Sequence, residues 1–230
     1  MVSSPYSQPV AAAMFEIGAR YDILAAIYEH FVTTANYDAA RVFASEAAVP
    51  NPELGMVLVR HEVKRDIEGG RIEAALETLQ QEYPAIVEEQ SALLFELKLM
   101  QLIELIRASD FDADPASIDP ALEYARAQAL PLVKLDQAED AKRMVQLQKV
   151  MALVCIDASK GLPTVLEELL DQRTRDELAV RVNGEMLKCH GSKEMSRLES
   201  LRLLRDMLRK SVCSASCNDY RVEGIDFVEL

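Results

Sequence analysis

Tryptophan is absent from this chain, and glycine and proline supply only eight and nine of its 230 residues. So few turn-formers argue against a sandwich or barrel of many short strands. Histidine occurs three times, and none of His30, His61 and His190 stands at a motif spacing from a serine, cysteine or carboxylate. There is no glycine-rich phosphate loop, no G-x-S-x-G, no H-E-x-x-H and no kinase signature, so catalysis has no visible foothold. Positive charge is outweighed: 25 Lys and Arg face 38 Asp and Glu, a net charge of −13. A mean field of that sign repels phosphate, so neither nucleic acid nor an anionic membrane is expected as a partner. No apolar run reaches the ~18–20 residues of a membrane span. Cysteine is limited to Cys155, Cys189, Cys213 and Cys217. Cys155 lies in the apolar run VMALVCI and reads as a core residue. Cys189, His190, Cys213 and Cys217 can be drawn as a zinc site, but their spacing matches no standard knuckle. No metal and no cofactor are expected, and a reducing compartment fits best.

What the chain does have is helix. Half of its residues are hydrophobic, and leucine, alanine, glutamate and arginine dominate, all good helix formers. No segment reads as a convincing strand, and the expected fold class is all-α: nine or ten helices with short connections. The stretch ILAAIYEHFVTTANYDAARVFASE places Leu24, Ile27, Tyr28, Phe31 and Val32 on one helical face. Ala40, Phe43, Ala44 and Ala47 share a face of a second short helix. Two such helices cannot bury these side chains between themselves.

A third helix is expected from about Leu54 to Glu68, with Met56, Val59, Val63 and Ile67 inward and Gly69-Gly70 as its stop. The period restarts with Ile72, Ala75, Leu76 and Leu79, and Pro84 opens a short turn. SALLFELKLMQLIELIR, Ser91 to Arg107, is apolar on nearly every side and should be the central helix of a bundle. Glu104 and Arg107 lie three apart and can pair; a catalytic Glu104 is the sharper reading. ASDFDADPASIDP is an acidic loop, after which Asp119 and Pro120 read as N-cap and first helical residue. ALEYARAQAL is a short helix ended by Pro131. Asp136 and Glu139 open the next helix in capping-box fashion. TVLEELL is one short helix, and Thr174-x-x-Glu177 opens another that runs through Met186. Gly191-Ser192 precedes a last helix with Met195, Leu198, Leu201, Leu204 and Leu208 on its apolar side. Arg202, Arg205, Arg209 and Lys210 lie along that same helix, diluted by Glu199 and Asp206. The reading divides the chain into a disordered leader (1–20), a hairpin (21–53), two helical regions (54–112 and 119–212) and a C-terminal tail (213–230).

The hairpin resembles the LisH motif: Leu24, Ile27, Phe31, Tyr37, Ala39, Ala40 and Phe43 occupy its hydrophobic positions, and Asn36 stands where the turn glycine is usual. That exchange is mild, since asparagine tolerates the left-handed conformation better than most residues. RHEVKRDIEGGRIEAALETLQQEYP followed by LLFELKLMQLIELIR resembles a CTLH motif, with one extra glycine at 69 or 70. PALEYARAQALP through LLRDMLRK is similar to a CRA domain. The three in this order, over roughly residues 21–212, resemble the scaffold subunits of GID/CTLH-type ubiquitin ligases; SPRY, RING and WD40 domains of other relatives are not seen. The resemblance implies a non-catalytic subunit that links RING subunits, a Ran-binding-protein-like subunit and an armadillo-repeat subunit for proteasomal degradation, in cytoplasm and nucleus. It implies LisH-mediated homo- or hetero-oligomerisation through Leu24, Ile27, Tyr28, Phe31, Tyr37, Ala40 and Phe43. It also implies that the chain folds back, with the end of CRA beside the hairpin. Two other readings stand beside it: a LisH-class oligomeric adaptor outside any ligase, cytoskeletal or transcriptional, and an all-α enzyme using Glu104 or Cys189–His190.

Overall fold

The computed structural model describes residues 22–49, 54–88, 92–109, 115–133, 138–155 and 163–216. The leader, the Asp136 cap, Cys217 and most of the tail lie outside the described residues. Among those described, every regular element is helical. Helix α1 covers residues 22–33 and α2 Tyr37–Ala47, α3 Leu54–Glu68 and α4 Ile72–Glu82. A 3-10 turn at Pro84–Val87 precedes α5, Ala92–Ala108. After a second 3-10 turn, Pro115–Ile118, come α6 (Asp119–Tyr124), a π turn (Ala125–Ala129) and a 3-10 turn (Leu130–Leu132). Then follow α7 (Ala138–Cys155), α8 (Thr164–Leu170), α9 (Gln172–Cys189) and α10 (Arg197–Ser216).

Helix α5 is the centre. Leu93, Leu94, Phe95, Leu97, Met100, Leu102 and Ile103 are buried, because α4, α6, α7 and α9 all pack against it. Ile106, expected inside, is half-buried at the edge of the same cluster. Fully covering a side chain such as Phe95 or Leu102 stabilises by ~1.5–3 kcal/mol. The Arg143 guanidinium stacks over the Phe95 ring, 5.6 Å from its centroid.

Helix α3 departs from its expected face. Its buried residues are Val57, Arg60, Val63 and Ile67, while Met56 is exposed and Val59 half-buried. The apolar pattern was misread because one inward position is an arginine, which carries no hydrophobic signal. Gly70 ends α3 at φ 75°, with Arg71 N bonded to Asp66 O at 2.7 Å and Gly70 N to Ile67 O at 3.0 Å. A Cβ there would stand 3.0 Å from Glu104 Oε2. Glu104 is in turn gripped by Arg175, Nε to Oε1 at 2.9 Å and the second arm to Oε2, with Arg107 farther away at 3.9 Å. The glycine therefore lets the α3–α4 turn sit on an ion pair that ties α5 to α9.

Three expected caps shift. Asp119 is already helical, since the 3-10 turn before it runs straight into α6. Pro131 lies inside the closing 3-10 turn, where a missing N–H is tolerated. Helix α9 starts earlier than Thr174: Asp171 is its N-cap and accepts from Arg173 N at 3.1 Å.

Candidate assembly surface

The α1–α2 turn is built differently from its sequence reading. Ala35, not Asn36, takes the left-handed conformation, at φ 54°. Asn36 has φ −93° and is the N-cap of α2, accepting from Ala39 N at 3.3 Å. Asn36 N bonds back to Phe31 O at 2.9 Å and Ala35 N to Val32 O at 3.3 Å, a Schellman closure of α1. Ala35 is fully buried against the body of the chain, where its small side chain fits and a larger one does not.

The seven residues named for the interface fall into two groups. Leu24, Ile27, Tyr28, Phe31, Tyr37 and Phe43 are half-buried, and Ala40 is buried. Phe31 and Phe43 meet edge to face, ring centroids 5.6 Å apart, and join α1 to α2. Tyr37 instead turns toward α3, its ring 6.2 Å from that of His61. None of the hairpin's apolar residues enters the main apolar cluster, whose buried members run from Val63 to Met186.

His30 and His61 are both half-buried and bonded. His30 Nδ1 lies 3.0 Å from Ser196 Oγ, and His61 Nδ1 lies 3.0 Å from Ala35 O. Ser196 is fully buried and caps α10: Glu199 N donates to its hydroxyl at 3.2 Å, and Ser196 N donates to Glu199 Oε2 at 3.1 Å. This reciprocal capping box is what starts α10 beside α1. Arg197 adds an ion pair to Glu29 of α1.

Only that first turn of α10 rests on the hairpin. Leu201, Leu204 and Leu208 are 60%, 53% and 57% exposed, and Leu203, Met207 and Val212 are exposed beside them. Among the described residues, the expectation that the end of the chain lies beside the hairpin is met at Ser196 and Arg197. Within the chain the hairpin leans on α3 and α9 instead. Helix α10 carries five basic residues, Arg197, Arg202, Arg205, Arg209 and Lys210, against Glu199 and Asp206. It is a basic amphipathic helix on an acidic protein, and among the described residues nothing covers its apolar side.

Of the residues considered for chemistry, Glu104 and His190 are engaged otherwise. Glu104 is held by Arg175 and Arg107. His190 Nε2 pairs with the Tyr83 hydroxyl at 2.9 Å, and Cys189 is a free, exposed thiol. An open cleft of about 750 Å³ lies between the foot of α1, the start of α5 and α9. Lys64, Arg181 and Lys188 line it together with Glu96, Glu185, Glu194 and the thiol of Cys189. Among the described residues no group of histidine, cysteine or carboxylate side chains is arranged to hold a metal, and no helix is long and apolar enough to cross a membrane.

The family model described as "CTLH/CRA C-terminal to LisH motif domain" matches residues 56–211. The chain belongs to that family. It is 31% identical over 183 residues to GID complex subunit 8 of Schizosaccharomyces pombe, an overlap covering 78% of this chain and 74% of that protein. It is 30% identical over 174 residues to Protein GID8 homolog of Arabidopsis thaliana, 75% of this chain and 66% of that protein. A shorter segment of 58 residues is 38% identical to Ran-binding protein 9 of Xenopus tropicalis, 25% of this chain and 11% of that protein. Within the CTLH family the chain is of the GID8 type. The matched span runs from α3 to α10 and takes in the central α5, the α9 body and the exposed α10.

Sequence reasoning missed three contributors to this surface. Arg60 and Asn183 were invisible because polar residues inside a helical bundle break no detectable pattern. Ser196 was legible as a capping box, S-x-x-E, once Glu199 is paired with it.

Proposed function

We propose that this chain is a non-catalytic scaffold subunit of a GID/CTLH-type ubiquitin ligase, joining RING, Ran-binding-protein-like and armadillo-repeat subunits so that bound proteins are marked for proteasomal degradation in cytoplasm and nucleus. The observation that carries the reading is the uncovered apolar side of α10 next to the half-buried hairpin. Monomeric proteins seldom leave a contiguous stripe of large apolar side chains wet unless it meets a partner. Leu201, Leu204 and Leu208 recur along one side of α10, and a partner helix laid there is read at that spacing. The hairpin adds the half-buried Leu24, Ile27 and Phe31. The fission-yeast relative's name, GID complex subunit 8, supports a ligase over an adaptor outside one.

Two measurements test the proposal. The tagged chain, purified from its own cells, should bring RING and Ran-binding-protein-like subunits with it. An Ile27→Glu variant should lose the partner held at the hairpin while keeping its helical circular dichroism, because the charge must be desolvated without a counterion only in the assembly. Recovery of cytoskeletal or transcriptional partners with no RING subunit refutes the ligase reading. Incubated alone with activating and conjugating enzymes, the chain should build no ubiquitin chains above background; specific chain formation refutes the non-catalytic role.

A further inference from the structure

At the foot of α1, four successive carbonyl oxygens accept hydrogen bonds from side chains of other helices. Arg60 donates to Val32 O at 2.7 Å, and Asn183 Nδ2 to Thr33 O at 2.8 Å. Lys64 Nζ donates to Thr34 O at 3.1 Å, and His61 Nδ1 to Ala35 O at 3.0 Å. A carbonyl oxygen can only accept, so His61 carries a proton on Nδ1. The remaining arm of Arg60 reaches Asn183 Oδ1 at 2.9 Å. Arg60 and Asn183 are 3% and 8% exposed. Three donors come from little more than one turn of α3 and the fourth from α9, which α3 packs against.

A helix C-terminus carries partial negative charge on just these unpaired carbonyls. Here two cations and a buried amide complete it from outside the hairpin. The apolar seam at the same place is thin, made by Val32, Ala35, Ala40, Ala44 and Val57. Apolar contact is non-directional and tolerates a range of dockings. A buried guanidinium does not, because any other docking leaves its charge, the Asn183 amide and the α1 carbonyls unmatched.

We infer that Arg60 and Asn183 are positioning residues for assembly: they fix the direction in which the α1–α2 hairpin projects its apolar side, so that the body of the chain, through α3 and α9, sets the geometry of the interface. The inference rests on the proposed function only in treating the hairpin as an assembly surface.

The test uses the full chain, native-state hydrogen exchange resolved by segment, and affinity for the co-expressed Ran-binding-protein-like subunit. Arg60→Met should raise exchange in residues 22–49 about tenfold or more, the loss of one buried charged hydrogen bond, and leave Ala92–Ala108 unchanged. The double variant Arg60→Met/Asn183→Leu replaces both polar groups by apolar ones, which can be neutral for stability. It should regain the thermal midpoint and still bind the partner about tenfold or more weakly, because the direction-setting bonds are gone. Arg60→Lys, which keeps the charge and loses the fork, should fall between wild type and Arg60→Met in hairpin exchange, and serves if Arg60→Met does not fold. Equal exchange increases in residues 22–49 and 92–108 overturn the inference, as does a double variant that regains both stability and affinity. Unchanged hairpin exchange in Arg60→Met, or in Arg60→Lys where that variant is used, overturns it also. A wild-type chain that binds no ligase subunit refutes the proposed function instead, and the exchange comparison still decides the clamp.

Discussion

Replacing Leu204 and Leu208 together by glutamate separates folding from assembly. In the single chain these side chains are 53% and 57% exposed, so a charge there stays hydrated and Leu and Glu are both good helix formers. Surface changes of this kind shift stability within about 0.5 kcal/mol, and the two carboxylates, four residues apart, repel by a few tenths of that unit. The thermal midpoint should move by no more than about 2 °C for a chain of this size. Assembly responds differently. Roughly half of each leucine remains to be covered, so each loses ~1 kcal/mol of burial out of the ~1.5–3 kcal/mol of a full one. Each new carboxylate adds ~1–3 kcal/mol for desolvation without a designed partner. The total of ~4 kcal/mol or more corresponds to a loss of about a thousandfold or more in affinity. Thermal melts and light scattering of the purified complex, at matched concentrations, read both quantities. A midpoint lowered by many degrees would show that α10 is covered within its own chain; a complex of unchanged mass and affinity would show that the stripe is not an assembly surface.

Three further outcomes follow from packing and charge. Leu102→Ala removes a fully buried side chain from α5 and should cost ~2–5 kcal/mol, read by denaturant titration; an unchanged midpoint would mean α5 is not the core. Ala48→Gly should raise stability by ~0.5–1 kcal/mol, because Ala48 is exposed and sits at φ 52°, where alanine pays a steric penalty larger than the extra chain entropy of glycine. Tyr124 has a buried hydroxyl with no hydrogen-bond partner among the described residues, and burial raises its pKa above the usual 10.0. The unfolded chain ionises this hydroxyl at about pH 10 while the folded chain holds its proton to higher pH, so stability falls as pH rises through that window, by at most ~1.4 kcal/mol per pH unit and less with solvent screening; Tyr124→Phe should not lower neutral stability and should lessen the alkaline loss.

Composition and the 3.6-residue period by themselves determined the helical class, the burial of α5 and most helix boundaries. These properties depend on local repetition: few glycines and prolines, apolar residues at i and i+3 or i+4, and stop signals such as Gly69-Gly70. The family was legible through the resemblance to the LisH, CTLH and CRA motifs in that order, and the matched family span is 56–211. The period also named the hairpin's apolar face and the Leu201–Leu204–Leu208 stripe, but it did not say which was covered, since an apolar stripe looks identical facing a core or facing water. Tertiary structure alone decided that among the described residues the apolar side of α10 lies open and that Ser196 and Arg197 bond to α1. It decided that Ala35 rather than Asn36 turns left-handed, because the Schellman bonds of α1 choose the residue by position. It decided the role of Arg60 and Asn183 as well. Their partners are backbone carbonyls 28 and 150 residues away, and any residue type presents the same carbonyl, so no pattern of side chains along the chain records that they meet.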